Sequence, residues 1–262
     1  MSGRKSGGLL PEGDTYTLAA DRIRPVLVGR ALTAVSGSAP DVRRHSALLL
    51  EATVDGVRTL GKHLLVDLDN GLTIHIHLGM PGRVTLGSAA DGPGVRLVLG
   101  TEAGAVTVRA APTVQVDRRK VIDHELRRLG PDVLAPEFDE ERFRHQASLY
   151  PGDRTVSDFL LDQRVLAGVG NVYKCETLFA EGIEPARTMS TVDSATRDAL
   201  AERARRLMLP NAHRIDRSTA GRAALWVYER EGWPCLRCGT KIVAGWVGEP
   251  ARITYWCPGC QL

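Results

Sequence analysis

The sequence contains no run of about 18 apolar residues, so it has no segment that could cross a membrane as a helix. Its first ten residues carry some basic charge but lack the apolar core of a signal peptide. Internal repeats are absent, and low-complexity sequence is confined to residues 1–10, which we expect to be a disordered lead-in. These absences predict a cytoplasmic protein with no membrane partner.

The chain also has little net charge, +3 in 262 residues, which alone is weak evidence for a nucleic-acid partner. The charge is unevenly distributed, because residues 201–230 contain seven arginines and three acids. The arginines are at positions 203, 205, 206, 214, 217, 222 and 230. Such a segment can form a basic face for phosphates or a solvated helix surface, and the charge run alone favours the second interpretation.

Cysteine is scarce until the C-terminus, where two Cys-x-x-Cys pairs occur. Of the five cysteines, Cys235 pairs with Cys238 and Cys257 pairs with Cys260. A two-residue spacer lets a turn aim both thiolates at one point, so two such turns can complete a tetrahedron around one zinc ion. Four unrelated core cysteines are a poor alternative at this spacing. We therefore predict one closed, structural Zn²⁺ site, and we expect the isolated Cys175 to be a buried helix residue.

The N-terminal half has a pattern of strands preceded by one helix. The helix is expected to be capped by Asp14 or Thr15 and to stop at Gly29. Period-two alternation marks strands at residues 63–68, 72–78 and 95–99. The dipeptides Asp55-Gly56 and Asn70-Gly71 are typical hairpin turns between such runs. This pattern predicts a β-sandwich or barrel-like domain with one helix packed on it.

The C-terminal half becomes helical after a Pro- and Gly-containing segment at residues 129–136, which we interpret as a linker. Helices are predicted at residues 139–147, 153–166, 170–181 and 193–208. The fold class is therefore α+β. The predicted organisation is a lead-in at 1–10, a β-sandwich domain at 11–134, a helical domain at 135–225 and a zinc-finger β-hairpin at 226–262.

A glycine-rich turn at residues 168–171 lies between two of the predicted helices. Gly168 and Gly170 permit a sharp reversal and the close approach of another backbone. The helix that begins near Gly170 would present free N–H groups and the positive end of its dipole, with Asn171 at its start and Lys174 one turn later. These groups could reach a phosphate, and an ordinary helical hairpin with a glycine corner is the alternative.

Residues 160–185 resemble the helix–two-turn–helix motif of the endonuclease VIII and formamidopyrimidine-DNA glycosylase family. Three other segments resemble that family in the same order. Residues 11–15 match its mature N-terminus, residues 61–65 with 77–82 its catalytic-lysine hairpin and lesion-side loop, and residues 252–261 its zinc finger. The resemblance covers about residues 11–262, and Pro-Glu-Gly-Asp-Thr is most similar to the endonuclease VIII branch of actinobacterial type.

The resemblance implies a role for each matching residue. Pro11 would attack C1′ of a damaged nucleoside, Glu12 would transfer protons during base loss and ring opening, and Lys62 would lie near the phosphate and deoxyribose of the lesion. The residues implied to contact DNA are Asn171, Lys174, Arg252, which also belongs to the catalytic set, and Met80, which would fill the gap left by the everted base. Taken singly, Pro11, Glu12, Lys62 and Met80 also have ordinary structural explanations. The matching order of the four motifs makes those structural explanations the weaker interpretation.

Two departures from the family pattern affect the catalytic residues. Pro11 is preceded by ten residues, and a mid-chain proline nitrogen is a tertiary amide that cannot form a Schiff base. We therefore hypothesise that translation starts at Leu10, so that removal of the initiator methionine frees Pro11. The second departure is Thr15, since many relatives carry a second glutamate there.

The resemblance implies a monomeric, bifunctional DNA glycosylase and abasic-site (AP) lyase acting on double-stranded DNA with an oxidised base or an abasic site. Oxidised pyrimidines would be its substrates, and it would cut the abasic strand by β,δ-elimination. One alternative is a non-catalytic protein that binds damaged DNA with a blocked Pro11 amine. A second is an unrelated zinc-ribbon adaptor, which would explain residues 235–262 but not the N-terminal motifs.

Overall fold

The structure is a computed structural model that describes residues 11–87, 92–213 and 225–262. The predicted lead-in at residues 1–10 lies outside the described residues, as do Arg214, Arg217 and Arg222 of the arginine-rich segment. The chain divides into two compact units. The first contains Arg22–Arg58 and His63–Arg119, and the second contains Glu12–Asp21, Thr59–Lys62 and Lys120–Leu262.

The first unit is built on two four-stranded sheets. The strands are β1 (Ala34–Ser36), β2 (Val54–Leu60), β3 (His63–Leu68), β4 (Leu72–His77), β5 (Arg83–Gly87), β6 (Val95–Thr101), β7 (Gly104–Arg109) and β8 (Thr113–Arg118). One sheet has the order β1-β6-β7-β5 and the other β2-β3-β4-β8. Leu64, Ile74 and Leu97 are among its fully buried residues. Burial of the apolar residues on these strands forms the predicted N-terminal β-sandwich.

The predicted strands at residues 63–68, 72–78 and 95–99 correspond to β3, β4 and β6. Asn70-Gly71 forms the predicted turn, because Gly71 has a φ of 79° and the Asn70 side chain accepts a hydrogen bond from the backbone N–H of Leu72. The turn predicted at Asp55-Gly56 is wrong, since both residues lie inside β2.

Three helices lie in or border the N-terminal region: α1 (Gly13–Leu27), α2 (Pro40–Leu49) and α3 (Arg119–Leu126). The first was predicted, but it begins at Gly13, so Asp14 and Thr15 lie in its first turn and neither is its cap. The other two were missed. Pro40 at the start of α2, followed by Asp41, is a helix-start signal that strand alternation obscured.

The second unit carries the remaining helices. They are α4 (Glu140–Ser148), α5 (Val156–Leu161), α6 (Asn171–Glu181) and α7 (Ser194–Ala212), with a short 3-10 turn at Met189–Thr191. All four α-helices were predicted, but the helix expected at residues 153–166 is much shorter. It is preceded by a capping box in which Thr155 and Asp158 bond reciprocally, and its last residue is Leu161.

The segment predicted as a linker, residues 129–136, is not an exposed connection. Residues 129–134 are buried, and the Asp132 backbone forms an isolated bridge with that of Ala167. Val133 N donates to Ala167 O at 2.9 Å, and Ala167 N donates to Pro131 O at 2.9 Å. Gly130 permits this close approach, because a Cβ atom there would lie 2.6 Å from the backbone oxygen of Arg164. The segment is therefore part of the core of the second unit.

The C-terminus is a two-stranded antiparallel hairpin of β9 (Val243–Val247) and β10 (Arg252–Trp256). A small apolar core joins it to α6, through Val172, Cys175, Phe179 and Cys257 among other residues. Cys175 is 1% exposed, as predicted for a buried helix residue. Within the described part of the chain, no helix is long and apolar enough to cross a membrane.

Candidate active site

The carboxylate of Glu12 is held at the N-terminus of α6. It accepts backbone hydrogen bonds from Gly170 N to Oε2 at 2.8 Å, from Val172 N to Oε1 at 2.8 Å, and from Tyr173 N to Oε2 at 3.4 Å. These are groups that a helix leaves unpaired at its start. The free N–H groups expected at this helix end are therefore occupied by a side chain of the same protein. Glu12 is only 2% exposed.

Glycines make room for this arrangement. A Cβ atom at Gly170 would lie 2.4 Å from the Glu12 carboxyl carbon, so a side chain there would displace the carboxylate. Gly13 N donates to Gly168 O at 2.9 Å, and a Cβ at Gly61 would lie 3.0 Å from Gly168 N. The prediction that another backbone approaches the 168–171 turn is confirmed, and two segments do so.

Burial raises the pKa of Glu12 to about 7, with a further rise from the charge of Asp14. Lys62 and the backbone N–H groups of Val172 and Gly170 oppose this rise. Burial lowers the pKa of Lys62, and the positive charge of Arg252 lowers it further against the attraction of Glu12. Glu12 can therefore give or take a proton near neutral pH. The positive charge of Lys62 acts on Glu12, and that of Arg252 acts on Lys62.

The turn that carries Lys62 is anchored by Asp132. Its Oδ2 accepts from Gly61 N at 2.8 Å, and its Oδ1 accepts from Leu134 N at 2.9 Å. Burial raises the pKa of Asp132, while these two N–H groups oppose the rise. Asp132 was not identified from the sequence. Its position in Gly-Pro-Asp suggested only a turn residue, and the contact joins residues far apart in the chain.

Asn171 is the first residue of α6, and hydrogen bonds hold its amide on three sides. Its Nδ2 donates to Ile253 O at 2.8 Å, its Oδ1 accepts from Lys174 Nζ at 2.8 Å, and it bonds to the Tyr228 hydroxyl. The amide is therefore tied to β10. Contact between Asn171 and a phosphate stays a prediction, and it requires one of these bonds to be exchanged.

The DNA contact predicted for Lys174 does not fit the structure. Its side chain is 0% exposed, and its Nζ donates to Asn171 Oδ1 and, at 2.6 Å, to Thr254 Oγ1. Burial also lowers its pKa. Because no face of the ammonium is open to a phosphate, we interpret Lys174 as the residue that positions Asn171 against the hairpin.

Arg252 begins β10 and is exposed. Within residues 11–87, 92–213 and 225–262, its guanidinium has no ion-pair or hydrogen-bond partner, but its charge acts on Lys62 and Lys174. The exposed guanidinium, together with the nearby Lys62 and Lys174, gives this side of the second unit a positive potential. The contact of Arg252 with a phosphate stays a prediction.

Pro11 is half-buried and directly precedes Glu12 in the chain. Met80 is 72% exposed in the loop that follows β4. The ordinary interpretation of Met80 as a core residue is therefore wrong, and its role as a filler of the DNA gap stays a prediction.

The described arginines of the 201–230 segment have protein partners. Arg203 pairs with Glu181 at 2.5 Å, and Arg206 pairs with Glu202. Arg205 donates to the carbonyls of Val133, Ala135 and Pro136, and Arg230 to those of Leu225 and Pro234. These four residues therefore stabilise the fold and do not form an open basic face.

A second buried carboxylate on α6 holds the segment that leads to the hairpin. Glu176 accepts from Trp226 N at 2.8 Å, Val227 N at 3.0 Å and Tyr228 N at 2.9 Å. Burial raises its pKa against these three N–H groups. Glu176 was not predicted from the sequence, because its only local signal is an acid among the apolar residues of α6.

The four C-terminal cysteines converge at the base of the hairpin. Their sulfur atoms all lie within 4.8 Å of one another, with 3.9 Å between Cys235 and Cys260 and 3.5 Å between Cys238 and Cys257. A tetrahedral site with metal–sulfur bonds of about 2.3 Å has sulfur–sulfur edges of about 3.8 Å. The residues present therefore fit a single four-coordinate metal ion with no open position.

Comparison with known proteins agrees with this architecture. Residues 10–130 match the formamidopyrimidine-DNA glycosylase N-terminal domain, and residues 129–222 match the formamidopyrimidine-DNA glycosylase H2TH domain. The chain belongs to the endonuclease VIII and formamidopyrimidine-DNA glycosylase family. It is therefore an enzyme of the DNA glycosylase and AP lyase class, which acts in base excision repair.

Similar proteins match over nearly the full length. The chain is 38% identical to the DNA-(apurinic or apyrimidinic site) lyase Nei2 of Mycolicibacterium smegmatis, covering 96% of this chain and 99% of that protein. It is 37% identical to the probable endonuclease 8 2 of Streptomyces coelicolor, covering 96% and 94%. A crystal structure of Lactococcus lactis formamidopyrimidine-DNA glycosylase with DNA containing an abasic site has the same fold, with a TM-score of 0.83 at 22% identity over 96% of this chain and 99% of that one.

Proposed function

We propose that this chain is a bifunctional enzyme that excises oxidised pyrimidines through a Schiff base at Pro11 and then cuts the abasic strand by β,δ-elimination. The observation that carries the proposal is Glu12, a buried carboxyl with a pKa raised to about 7 that follows Pro11 directly. Similarity to proteins named endonuclease 8 supports the glycosylase and lyase chemistry. The enzyme would act on the DNA of a bacterial cytoplasm, as a monomer.

The first chemical stage is base loss. The lone pair of the Pro11 nitrogen attacks C1′ and the glycosidic bond breaks, so the base leaves with its bonding electrons. The attacking nitrogen gives up its N–H proton, the base takes up a proton, and the nitrogen regains its lone pair. Glu12 then gives its proton to O4′ as the C1′–O4′ bond breaks, which opens the sugar and leaves an iminium between Pro11 and C1′. The negative charge that remains on Glu12 is stabilised by hydrogen bonds from the backbone N–H groups of Gly170, Val172 and Tyr173.

The iminium then acts as an electron sink. Loss of a proton from C2′ expels the 3′-phosphate, a second elimination expels the 5′-phosphate, and water releases the sugar remnant and restores the amine. Lys62 and Arg252 carry the positive charge suited to the phosphates that leave. An everted nucleotide would be stabilised by Met80, whose exposed side chain can occupy the gap in the stack.

This chemistry requires a free amine at Pro11, and we propose that translation from Leu10 and removal of methionine supply it. The match to the N-terminal domain of the family begins at residue 10, which supports this start. The match to the M. smegmatis lyase also covers 96% of this chain and 99% of that protein, so nearly all of the relative has a counterpart in this chain.

The four-cysteine cluster is proposed to hold one structural zinc ion, which would stabilise a hairpin that has little core of its own. Cys235, Cys238, Cys257 and Cys260 are its ligands in this proposal. Asn171 and Arg252 would then grip the DNA backbone at the kinked lesion, because both are tied to β10.

Borohydride trapping on an abasic-site duplex tests the proposal. Protein that begins at Pro11 is expected to give a covalent adduct, because borohydride reduces the iminium to a stable amine. The Pro11→Ala protein still has a terminal amine but is expected to trap far less, and the chain that retains residues 1–10 is expected to give no adduct.

The outcome that contradicts the proposal is equally definite. If folded, zinc-loaded protein beginning at Pro11 binds the duplex and forms no adduct, the chain is a binder of damaged DNA and does not use a Pro11 amine. If the chain with residues 1–10 forms the adduct as efficiently, the Leu10 start is wrong.

Replacement of Arg252 by alanine is expected to weaken binding by about 10- to 100-fold, since charge-assisted hydrogen bonds contribute about 1.5–3 kcal/mol. The loss should be similar for different flanking sequences, because phosphates carry no sequence information. The salt slope of log K is expected to fall by about one. Fluorescence anisotropy at several salt concentrations measures both. Arg144→Ala, which removes another exposed arginine on α4, is the control and should leave the slope unchanged.

A further inference from the structure

A second buried acid lies beside Glu12 in the first turn of α1. Asp14 is 0% exposed, and its charge acts on Glu12. The chemistry proposed above uses Pro11, Glu12 and Lys62 but gives this acid no part. Because a buried carboxylate is costly unless it is hydrogen-bonded, the partners of Asp14 indicate its role.

The hydrogen bonds of Asp14 come from α1 and α6. The Tyr173 hydroxyl donates to Asp14 Oδ2 at 2.6 Å, and Asn211 Nδ2 on α7 donates to that hydroxyl at 2.7 Å. On the other side, Thr15 N donates to Asp14 Oδ1 at 2.7 Å, and Thr15 Oγ1 lies 3.4 Å from the same oxygen. Both carboxylate oxygens are therefore fixed.

The same two residues also contact Glu12. Tyr173 donates its backbone N–H to Glu12 Oε2 at 3.4 Å, and Thr15 Oγ1 accepts from Glu12 N at 3.3 Å. Tyr173 thus bridges the two acids through its backbone on one side and its hydroxyl on the other. A change at Asp14 should reach Glu12 along both connections.

We propose that Asp14 is the second acid of the active site, a positioning residue that orients Glu12 through Tyr173 and Thr15 and keeps the transferable proton on it; this inference rests on the proposed function. Position 15, which follows Asp14 in the first turn of α1, is a threonine. Thr15 cannot supply a carboxylate, whereas Asp14, one residue earlier, supplies one from the interior.

The surrounding charges are consistent with this role. Burial is the main cause of the raised pKa of Glu12, Lys62 from the turn between β2 and β3 lowers it, and Asp14 raises it. From α6, Lys174 and Cys175 also interact with Glu12. Lys62 favours loss of the Glu12 proton, and Asp14 favours its retention until the sugar ring accepts it.

The step that Asp14 would assist is the ring opening. The proton passes from Glu12 to O4′, the C1′–O4′ bond breaks, and the nitrogen lone pair of Pro11 becomes the second bond of the iminium. Asp14 neither gains nor loses a proton in this step. The negative charge of Asp14 keeps a larger fraction of Glu12 protonated at neutral pH. After the proton has left, the positive charge of Lys62 offsets the repulsion between the two carboxylates.

The test measures single-turnover adduct formation on an abasic-site duplex with cyanoborohydride, from about pH 5.5 to about pH 8.5. The protein is the zinc-loaded chain that begins at Pro11. The wild-type rate should decline as pH rises through the Glu12 pKa of about 7. Asp14→Asn removes a negative neighbour, so Glu12 loses its proton at lower pH. This decline should move down by about one pH unit, a roughly tenfold slower rate on the alkaline side.

Two further variants separate positioning from folding. Tyr173→Phe removes only the hydroxyl that holds Asp14 and should move the same decline in the same direction, which keeps the test valid if Asp14→Asn does not fold. Asp21→Asn removes the same charge from α1 near His213 and should leave the decline in place. Circular dichroism, zinc content and affinity for the duplex are expected to match wild type in all three.

Each result has one meaning. An unmoved decline in Asp14→Asn or Tyr173→Phe protein that folds and binds DNA would overturn the inference while leaving the Pro11 mechanism standing. An equal shift in Asp21→Asn would also overturn it, because general charge would then be the cause. No adduct from the wild-type chain would overturn the proposed function and this inference with it.

Discussion

Replacing Glu12 with glutamine is expected to slow base excision by about 10²- to 10⁴-fold, the usual contribution of a positioned general acid or base. Glutamine has nearly the same shape, but it cannot give the proton that opens the sugar ring. It also places an NH₂ group against one of the backbone N–H groups of α6 that now donate to the carboxylate. The measurement is single-turnover excision of an oxidised pyrimidine from a duplex, with affinity measured in parallel.

The matched control is Glu176→Gln. Glu176 is also a buried carboxylate on the α6 side of the molecule, and it also accepts three backbone N–H bonds, from Trp226, Val227 and Tyr228. Both variants should lose stability, by about 1–3 kcal/mol, because each leaves a donor poorly paired. Only Glu12→Gln should lose the chemical step. If the two variants slow excision equally, the Glu12 effect is structural and the acid–base role is wrong.

Replacing Cys257 with serine is expected to remove zinc and DNA binding together. A serine hydroxyl is a poor zinc ligand, and metal binding contributes about 10–16 kcal/mol to folding in isolated zinc fingers. Cys257 is fully buried in the core that joins the hairpin to α6, so loss of the metal should loosen β10 and, with it, Arg252 and the anchor of Asn171. Metal analysis and anisotropy on the same preparation measure the two losses.

Cys175→Ser provides the control for that change. Cys175 belongs to the same small core, and its Sγ lies 3.5 Å from Tyr255 N, but it is not part of the four-cysteine cluster. This variant should keep about one zinc per chain and most of its DNA affinity. DNA affinity that survives zinc loss in Cys257→Ser would show that the finger is not needed to position the DNA contacts.

Local patterns in the sequence predicted the parts of this fold that depend on local physics. Alternating apolar residues predicted β3 and β4, Asn70-Gly71 predicted their turn, and the spacing of the four C-terminal cysteines predicted their convergence. Each of these features depends on residues that are close in sequence or belong to one motif. The features are a half-buried strand, a turn residue with positive φ and a tetrahedral set of ligands.

The errors share the opposite property. Residues 129–136 read as a linker because proline and glycine usually mark exposed turns, but their backbone is buried by pairing with residues near Ala167. Lys174 was predicted to contact DNA because it lies one turn after a helix start that favours anions, but its ammonium is buried and donates to Thr254 and Asn171. A local sequence pattern cannot reveal a contact with a residue from a distant segment of the chain.

The candidate site shows the same limit. The family resemblance identified Glu12 and Lys62, but not why Glu12 would act as an acid near neutral pH. That property comes mainly from burial, which only the folded chain produces and which outweighs the opposing effect of Lys62 and of the Gly170 and Val172 N–H groups. Asp132 and Glu176 were missed for a related reason. Each accepts hydrogen bonds from backbone N–H groups, and the sequence does not show which backbone groups a side chain will meet.

Helix α6 also constrains how this protein can change over evolution. Its first turn receives Glu12, and Glu176, one and a half turns later, fastens residues 226–228. Insertion or deletion of a single residue between these points would rotate one set of contacts by about 100° relative to the other. The length of the segment from Gly170 to Glu176 is therefore constrained separately from the identity of its residues. We expect insertions and deletions to be tolerated only in other parts of the molecule.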